Sequence, residues 1–140
     1  MLDVEWPAGF TRGVAMFNAR EYFETHEVWE DVWRTAPPAE RDFYQGMIHL
    51  TVALYQAGRA NWRAAYSQLR RAQRRLAAFE PAYRGLALRA LRESAAAVVA
   101  QLEAGGSQSA LPRISLPAAA SRESPPDPAQ SGLPAQKRPK

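Results

Sequence analysis

One histidine and two glutamates lie within five residues of each other, in a segment rich in aromatic side chains. The segment, residues 18–35, reads NAREYFETHEVWEDVWRT. In a helix His26 and Glu30 are one turn apart, so their side chains can reach a common point, and Glu27 lies beside them. An imidazole paired with a carboxylate among aromatic rings can act as a general base. Glu27 would then orient the imidazole or supply a second acid group.

The same three side chains could bind a metal ion, because imidazole and carboxylate groups suit zinc, manganese or iron. Two known helical patterns are nevertheless not matched. Di-iron bundles carry Glu-x-x-His on two helices, whereas the residue three before His26 is Phe23. The zinc-protease pattern His-Glu-x-x-His fails because residue 30 is glutamate. We therefore predict no metal site and leave the cofactor unassigned.

A third interpretation, which we favour, is a structural polar cluster between two helices. In the next segment, RDFYQGMIHLTVALYQAG, Gln45 is followed by Gly46. A glycine inside a helix costs about 1 kcal/mol relative to alanine, so Gly46 indicates close approach by a neighbouring helix. That approach would let Gln45 face the second helix. The predicted cluster consists of His26, Glu27, Glu30 and Gln45.

A separate group of basic residues is a candidate for anion binding. The segment RRAQRR places Arg70, Arg71, Arg74 and Arg75 as two adjacent pairs one turn apart, enough for RNA or a phosphorylated ligand. No aromatic stacking motif accompanies them, so nucleic acid is not the partner that we favour. Ion pairs with the acidic second helix, or a solvated face, are the preferred interpretation.

The elements that position these residues are all predicted to be helices. Apolar residues recur at helical spacing, and strand-like alternation is absent from the sequence. Asn18, with Glu21 three residues later, is predicted to cap the second helix, and Asn61 the fourth. Short connections make neighbouring helices antiparallel, which predicts one all-α antiparallel bundle of about five helices. The predicted helices cover about residues 9–17, 19–34, 39–57, 62–79 and 86–103.

The composition changes after Gly106. Residues 107–140 contain seven of the eleven prolines and no aromatic residue. Such a segment cannot bury enough apolar surface to offset its conformational entropy. The sequence therefore predicts a helical bundle domain over residues 1–106 and a disordered proline-rich tail over residues 107–140.

Charge and composition exclude several classes. The chain has no cysteine, which excludes disulfides and thiolate metal sites. Residues 1–45 carry a net charge of −5 and residues 46–106 a net charge of +6, so the predicted domain is close to neutral. No apolar run is long enough to span a bilayer, and the acidic start does not resemble a secretory signal. We predict a cytoplasmic protein that does not bind membranes.

The order F-N-x-x-x-Y-F-E-x-H-E-V-W-E-x-V-W-R, followed by F-Y-Q-G-M-I, resembles the domain of unknown function 309 family. The resemblance extends over roughly residues 10–92. It implies a helical bundle and brings no assigned activity. At His49 the family more often has glutamine or lysine, so the resemblance does not favour chemistry there. The positions that match the motif are Asn18, Tyr22, His26, Glu27, Glu30, Trp33, Gln45 and Gly46.

These observations favour a non-catalytic binding or interaction module in which the polar cluster is structural. Its partner would be a protein or a small molecule, and self-association through a helix face stays open. The alternative is a small metal-dependent or acid–base hydrolase-like enzyme that uses His26, Glu27 and Glu30. No nucleophile or phosphate-binding motif accompanies these residues.

Overall fold

The computed structural model describes residues 5–106 and 111–116. The described residues 7–106 and 111–114 form one compact unit, and the described residues 5, 6, 115 and 116 belong to a second. In the first unit lie five α-helices: α1 (Ala8–Asn18), α2 (Tyr22–Thr35), α3 (Pro38–Gly58), α4 (Trp62–Leu76) and α5 (Leu88–Glu103). A 3-10 turn, Ala77–Phe79, follows α4. The predicted all-α bundle is confirmed, and no described helix is long and apolar enough to cross a membrane.

Helix α3 is the central element of the bundle. It packs against α2, α4 and α5, while α1 packs on α2 and α5 also contacts α4. Consecutive long helices are antiparallel, as predicted. Phe23 at the start of α2 meets Tyr55 at the end of α3, with ring centroids 5.5 Å apart. Arg41 at the start of α3 donates a hydrogen bond to the Trp33 carbonyl at the end of α2.

An aromatic core joins α1, α2 and α3. The Phe10 ring stacks on Trp29 at 5.2 Å and meets the Tyr44 ring edge-on at 5.8 Å. Trp29 is fully buried, and its Nε1–H donates a hydrogen bond to the Phe10 carbonyl over 3.2 Å. A Cβ atom added at Gly13 would lie 2.1 Å from Trp29 Nε1. Only glycine therefore lets α1 approach α2 this closely.

The two predicted helix caps have different outcomes. The Asn61 cap is confirmed, because its Oδ1 accepts a hydrogen bond from the Ala64 amide at 3.3 Å. The Asn18 cap is wrong: Asn18 is the last residue of α1, and α2 begins at Tyr22. The Asn18 side chain instead binds the backbone of Ile114. Its Nδ2 donates to the Ile114 carbonyl at 3.0 Å, and its Oδ1 accepts from the Ile114 amide at 2.8 Å.

The contact with Ile114 bears on the predicted tail. Ile114 is only 3% exposed, so the packed unit extends past Gly106, where the sequence predicts that disorder begins. The two hydrogen bonds from Asn18 give this stretch a fixed partner that its composition does not reveal. The remainder of the predicted tail, residues 107–110 and 117–140, lies outside the described residues. The domain boundary at residue 106 therefore stays a prediction.

Candidate functional site

His26 lies on the surface of α2 and forms a local pair. Its side chain retains 23% exposure, and its Nε2 lies 3.3 Å from Glu30 Oε2. Its Nδ1 lies 3.0 Å from the Phe23 carbonyl oxygen; because a carbonyl only accepts, Nδ1 carries the hydrogen. All of these contacts lie within one helix. The histidine is therefore half-buried and does not sit at the centre of an interhelical cluster.

The other members of the predicted cluster do not join His26. Glu27 is exposed, and Glu30 is shared with Arg34, whose Nη2 lies 3.9 Å from Glu30 Oε1. His26 shares a cavity of about 210 Å³ with residues of α2 and of the second half of α3: Tyr22, Phe23, Val52, Tyr55 and Gln56. Gln45 lies elsewhere, between α3 and α4.

The antiparallel direction of α2 and α3 explains why Gln45 does not lie beside His26. The antiparallel pairing of α2 and α3 sets His26 level with Val52, which is seven residues, or about 10 Å along the helix axis, beyond Gln45. A helix does approach Gly46 closely, as predicted. That helix is α4, whereas the prediction was α2. A Cβ atom added at Gly46 would lie 2.5 Å from Leu76 Cγ. Gln45 therefore meets the arginine-rich helix.

Two other motif residues, Tyr22 and Trp33, make packing contacts with neighbouring side chains. The Tyr22 ring packs edge-on against Phe17 at 5.4 Å, and burial raises the pKa of the Tyr22 phenol above its ordinary value of 10.0. The Arg41 guanidinium lies 4.2 Å from the centre of the Trp33 ring, and this cation–π contact joins α3 to α2. Among the described residues, no group of three or more His, Asp or Glu side chains converges to hold a metal ion.

Polar side chains converge instead in a groove between α3 and α4, which we call the arginine groove. Its volume is about 590 Å³, within the range of about 300–1,000 Å³ that is typical of small-ligand sites. One wall comes from α3 and the other from α4. The lining residues are Asp42, Gln45, His49, Arg71, Arg74 and Arg75. Arg70, the fourth of the predicted arginines, does not line it.

The charges of the groove are only partly balanced. Arg75 Nη1 lies 2.9 Å from Asp42 Oδ1, so these two side chains form an ion pair across the helices. Ion pairs with α2, one of the two preferred interpretations of the arginines, are not formed: Arg75 pairs with α3, and Glu30 and Asp31 of α2 pair with Arg34. The other was a solvated face, and the side chains of Arg71 and Arg74 are exposed. Arg71 and Arg74 have no ion pair within the part of the chain that the structure describes. The groove therefore carries a net positive charge.

His49 has a fixed orientation in the α3 wall. Its Nδ1 lies 2.7 Å from Gln68 Oε1 on α4, and because that oxygen accepts, Nδ1 carries the hydrogen. Burial lowers the pKa of His49 below its ordinary value of 6.5, the Gln68 hydrogen bond opposes this, and the nearby arginine charges lower the pKa further. The ring is therefore neutral at pH 7, and its Nε2 can accept a hydrogen bond.

The short connection between α3 and α4 is a signal in the sequence that could have located this groove. Helices α3 and α4 are joined by only three residues, 59–61. In such an antiparallel hairpin, facing residues run in opposite directions along the chain. From the pair 49–68 to the pair 42–75, α3 goes back seven residues and α4 goes forward seven, so both pairs fit one register, offset by three residues from the centre of the connection. Counting outward from the loop places Gln45 and His49 opposite the arginines of α4; these two residues belong to a polar line along α3 that also contains Gln56.

Two comparisons with known proteins found similar sequences. Residues 10–68 match the family model described as "Domain of unknown function (DUF309)". The chain is also 40% identical over 58 residues to the uncharacterized protein YpuF of Bacillus subtilis (strain 168), which is 40% of this chain and 33% of YpuF. The chain thus spans about a third of the length of that relative. Both findings support the predicted relationship to this family of uncharacterised proteins.

The matched region is shorter than the one that the motifs suggested. It ends at residue 68, within α4, and not near residue 92. The region includes α1, α2, α3 and the first half of α4. It therefore contains Asp42, Gln45 and His49 from the α3 wall of the arginine groove. The three arginines of the α4 wall lie beyond it.

Proposed function

We propose that this chain is a non-catalytic binding module and that the arginine groove holds an anionic ligand. The observation that carries the proposal is the pair Arg71 and Arg74, which line one wall of a groove without an acidic partner among the described residues. Like charges held close together repel each other, and a bound anion removes that cost. Guanidinium groups also form strong hydrogen bonds with phosphate and carboxylate oxygens.

The backbone that carries the two arginines is held against α3, while both side chains are exposed to a ligand. Both lie on a helix whose position is fixed at three points along α3. These are the close packing of Leu76 over Gly46, the hydrogen bond between His49 and Gln68, and the ion pair between Arg75 and Asp42. Because Arg75 is already paired, Arg71 and Arg74 are the groups available to a ligand. A volume of about 590 Å³ suits a small molecule better than a protein surface.

The catalytic alternative has no comparable support. His26 and Glu30 form a surface pair within one helix, and Glu27 is exposed. The arginine groove contains His49 as a potential base, but no serine or threonine side chain lines it among the residues that the structure describes. We therefore prefer binding without chemistry.

Isothermal titration calorimetry with inorganic phosphate and with pyrophosphate tests the proposal on the full chain. The test variant is Arg71→Gln/Arg74→Gln. The matched control is Arg63→Gln/Arg70→Gln, which removes the same charge from the same helix at exposed positions outside the groove. A hydrogen bond to a charged group contributes about 1.5–3 kcal/mol, so we expect the test variant to lose at least about tenfold in affinity. The control should lose less than about threefold.

Two results would contradict the proposal. Equal losses of affinity in the two variants would mean that anion binding depends only on the overall charge of α4. No detectable binding of either probe to the unmodified chain at millimolar concentration would remove the arginine groove from consideration as an anion site.

A further inference from the structure

Resting on the anion site proposed above, we propose that its ligand is a phosphate monoester that also carries hydroxyl groups, of the sugar-phosphate class. The two walls of the arginine groove differ in hydrogen-bonding character. The α4 wall presents guanidinium groups, which only donate hydrogen bonds. The α3 wall presents Asp42, Gln45 and His49, which can all accept them. One ligand that satisfies both walls has an anionic end and a hydroxyl-bearing end.

The acceptor character of the α3 wall follows from the contacts of its side chains. The Nδ1–H of His49 is already given to Gln68, so the atom left for a ligand in the neutral ring is the Nε2 lone pair. One carboxylate oxygen of Asp42 binds Arg75, and Oδ2 has no partner within the described residues. The carboxamide of Gln45 can accept through its oxygen or donate through its nitrogen. Hydroxyl groups can donate to all three.

The same features argue against simpler or larger anions. Inorganic phosphate would accept hydrogen bonds from Arg71 and Arg74. It would leave the acceptors of the α3 wall without donors. An extended polyanion would place charge beside the Asp42 carboxylate, which repels it. Arg70, which would continue a basic track along α4, lies outside the groove. The mixture of donors and acceptors therefore selects for a compact ligand with one charged group.

A comparison of three probes tests the ligand class: inorganic phosphate, ribose 5-phosphate and ribose. One or two additional hydrogen bonds change affinity by about tenfold. We therefore expect ribose 5-phosphate to bind the full chain about tenfold more tightly than inorganic phosphate. Ribose without phosphate should bind too weakly to detect.

A variant of the α3 wall should abolish this preference. In Gln45→Met/His49→Leu, ribose 5-phosphate is expected to bind no more tightly than phosphate. Both affinities are compared within the variant, because His49→Leu also removes the hydrogen bond to Gln68 on α4. The control is Gln56→Met, which lies on the same polar line of α3 but outside the groove. It should keep the tenfold preference.

The outcomes separate this inference from the one on which it rests. If phosphate and ribose 5-phosphate bind the unmodified chain equally tightly, the sugar-phosphate class is wrong and the anion site stands. If neither binds, both proposals fail. Should the double variant not fold, nitrogen NMR of the unmodified chain decides: ribose 5-phosphate must shift the His49 Nε2 resonance, and an unchanged resonance overturns the inference.

Discussion

Replacing Gly46 with alanine tests the packing that creates the arginine groove. The added Cβ would lie 2.5 Å from both Cγ and Cδ2 of Leu76 and 3.2 Å from the Cβ of Arg75. Carbon atoms in contact are ordinarily about 3.5–4.0 Å apart. Leu76 is fully buried, and the branch carbon Cγ cannot move away by a simple rotation of the end of the side chain. Helix α4 must therefore shift away from α3.

Two opposing contributions set the change in the free energy of unfolding. Alanine in a helix interior is more favourable than glycine by about 1 kcal/mol. Overpacking a filled core costs about 1–3 kcal/mol, and contact with the buried branch carbon places this case in the upper part of that range. We expect Gly46→Ala to lower the free energy of unfolding by about 1–2 kcal/mol, which for a domain of this size lowers the melting temperature by several degrees.

Urea denaturation followed by circular dichroism measures this change, and Gly58→Ala is the matched control. Gly58 ends the same helix, and a Cβ added there meets no atom within 4 Å. That variant should be neutral or more stable by less than about 1 kcal/mol. If Gly46→Ala were stabilised as much as Gly58→Ala, α4 would not lie this close to α3. The geometry of the arginine groove would then be wrong as well.

Two further predictions concern Asn18 and His49. Asn18→Ala removes both hydrogen bonds to Ile114, so trypsin should cleave after the exposed Arg113 about tenfold faster or more; an unchanged rate would contradict the contact. Because the pKa of His49 is lowered on folding, the unfolded chain binds a proton more readily, and stability should fall as the pH falls through 6.5 towards the lowered pKa. Urea denaturation at pH 7.5 and 5.5 should show a smaller loss in His49→Gln than in the unmodified chain, and equal losses would refute this.

Much of the fold could be predicted because its determinants are local. Apolar spacing gives the helices, and the Asn61 cap involves a hydrogen bond to a residue only three positions away. The role of Asn18 could not be read in this way. Its partner, Ile114, lies 96 residues further along the chain, and a local capping pattern with Glu21 offered a plausible but wrong alternative.

The candidate site was harder to predict because α3 has neighbours on several sides. Ten of its 21 residues are buried, so its apolar pattern does not say which polar side chain faces which helix. The sequence indicated correctly that Gly46 lets another helix come close. It does not identify that helix, so the sequence predicts Gln45 beside His26, whereas its neighbours are His49 and the arginines of α4.

The central position of α3 has a consequence for hydrogen exchange. Helices α2, α4 and α5 all pack on it, so detaching α3 would leave most of the bundle without its main packing partner. Its middle amides cannot then be exposed by a local opening that spares the rest of the bundle, and they should exchange with solvent only when the whole unit unfolds. Helix α1, which packs mainly on α2, is free to open at a smaller cost.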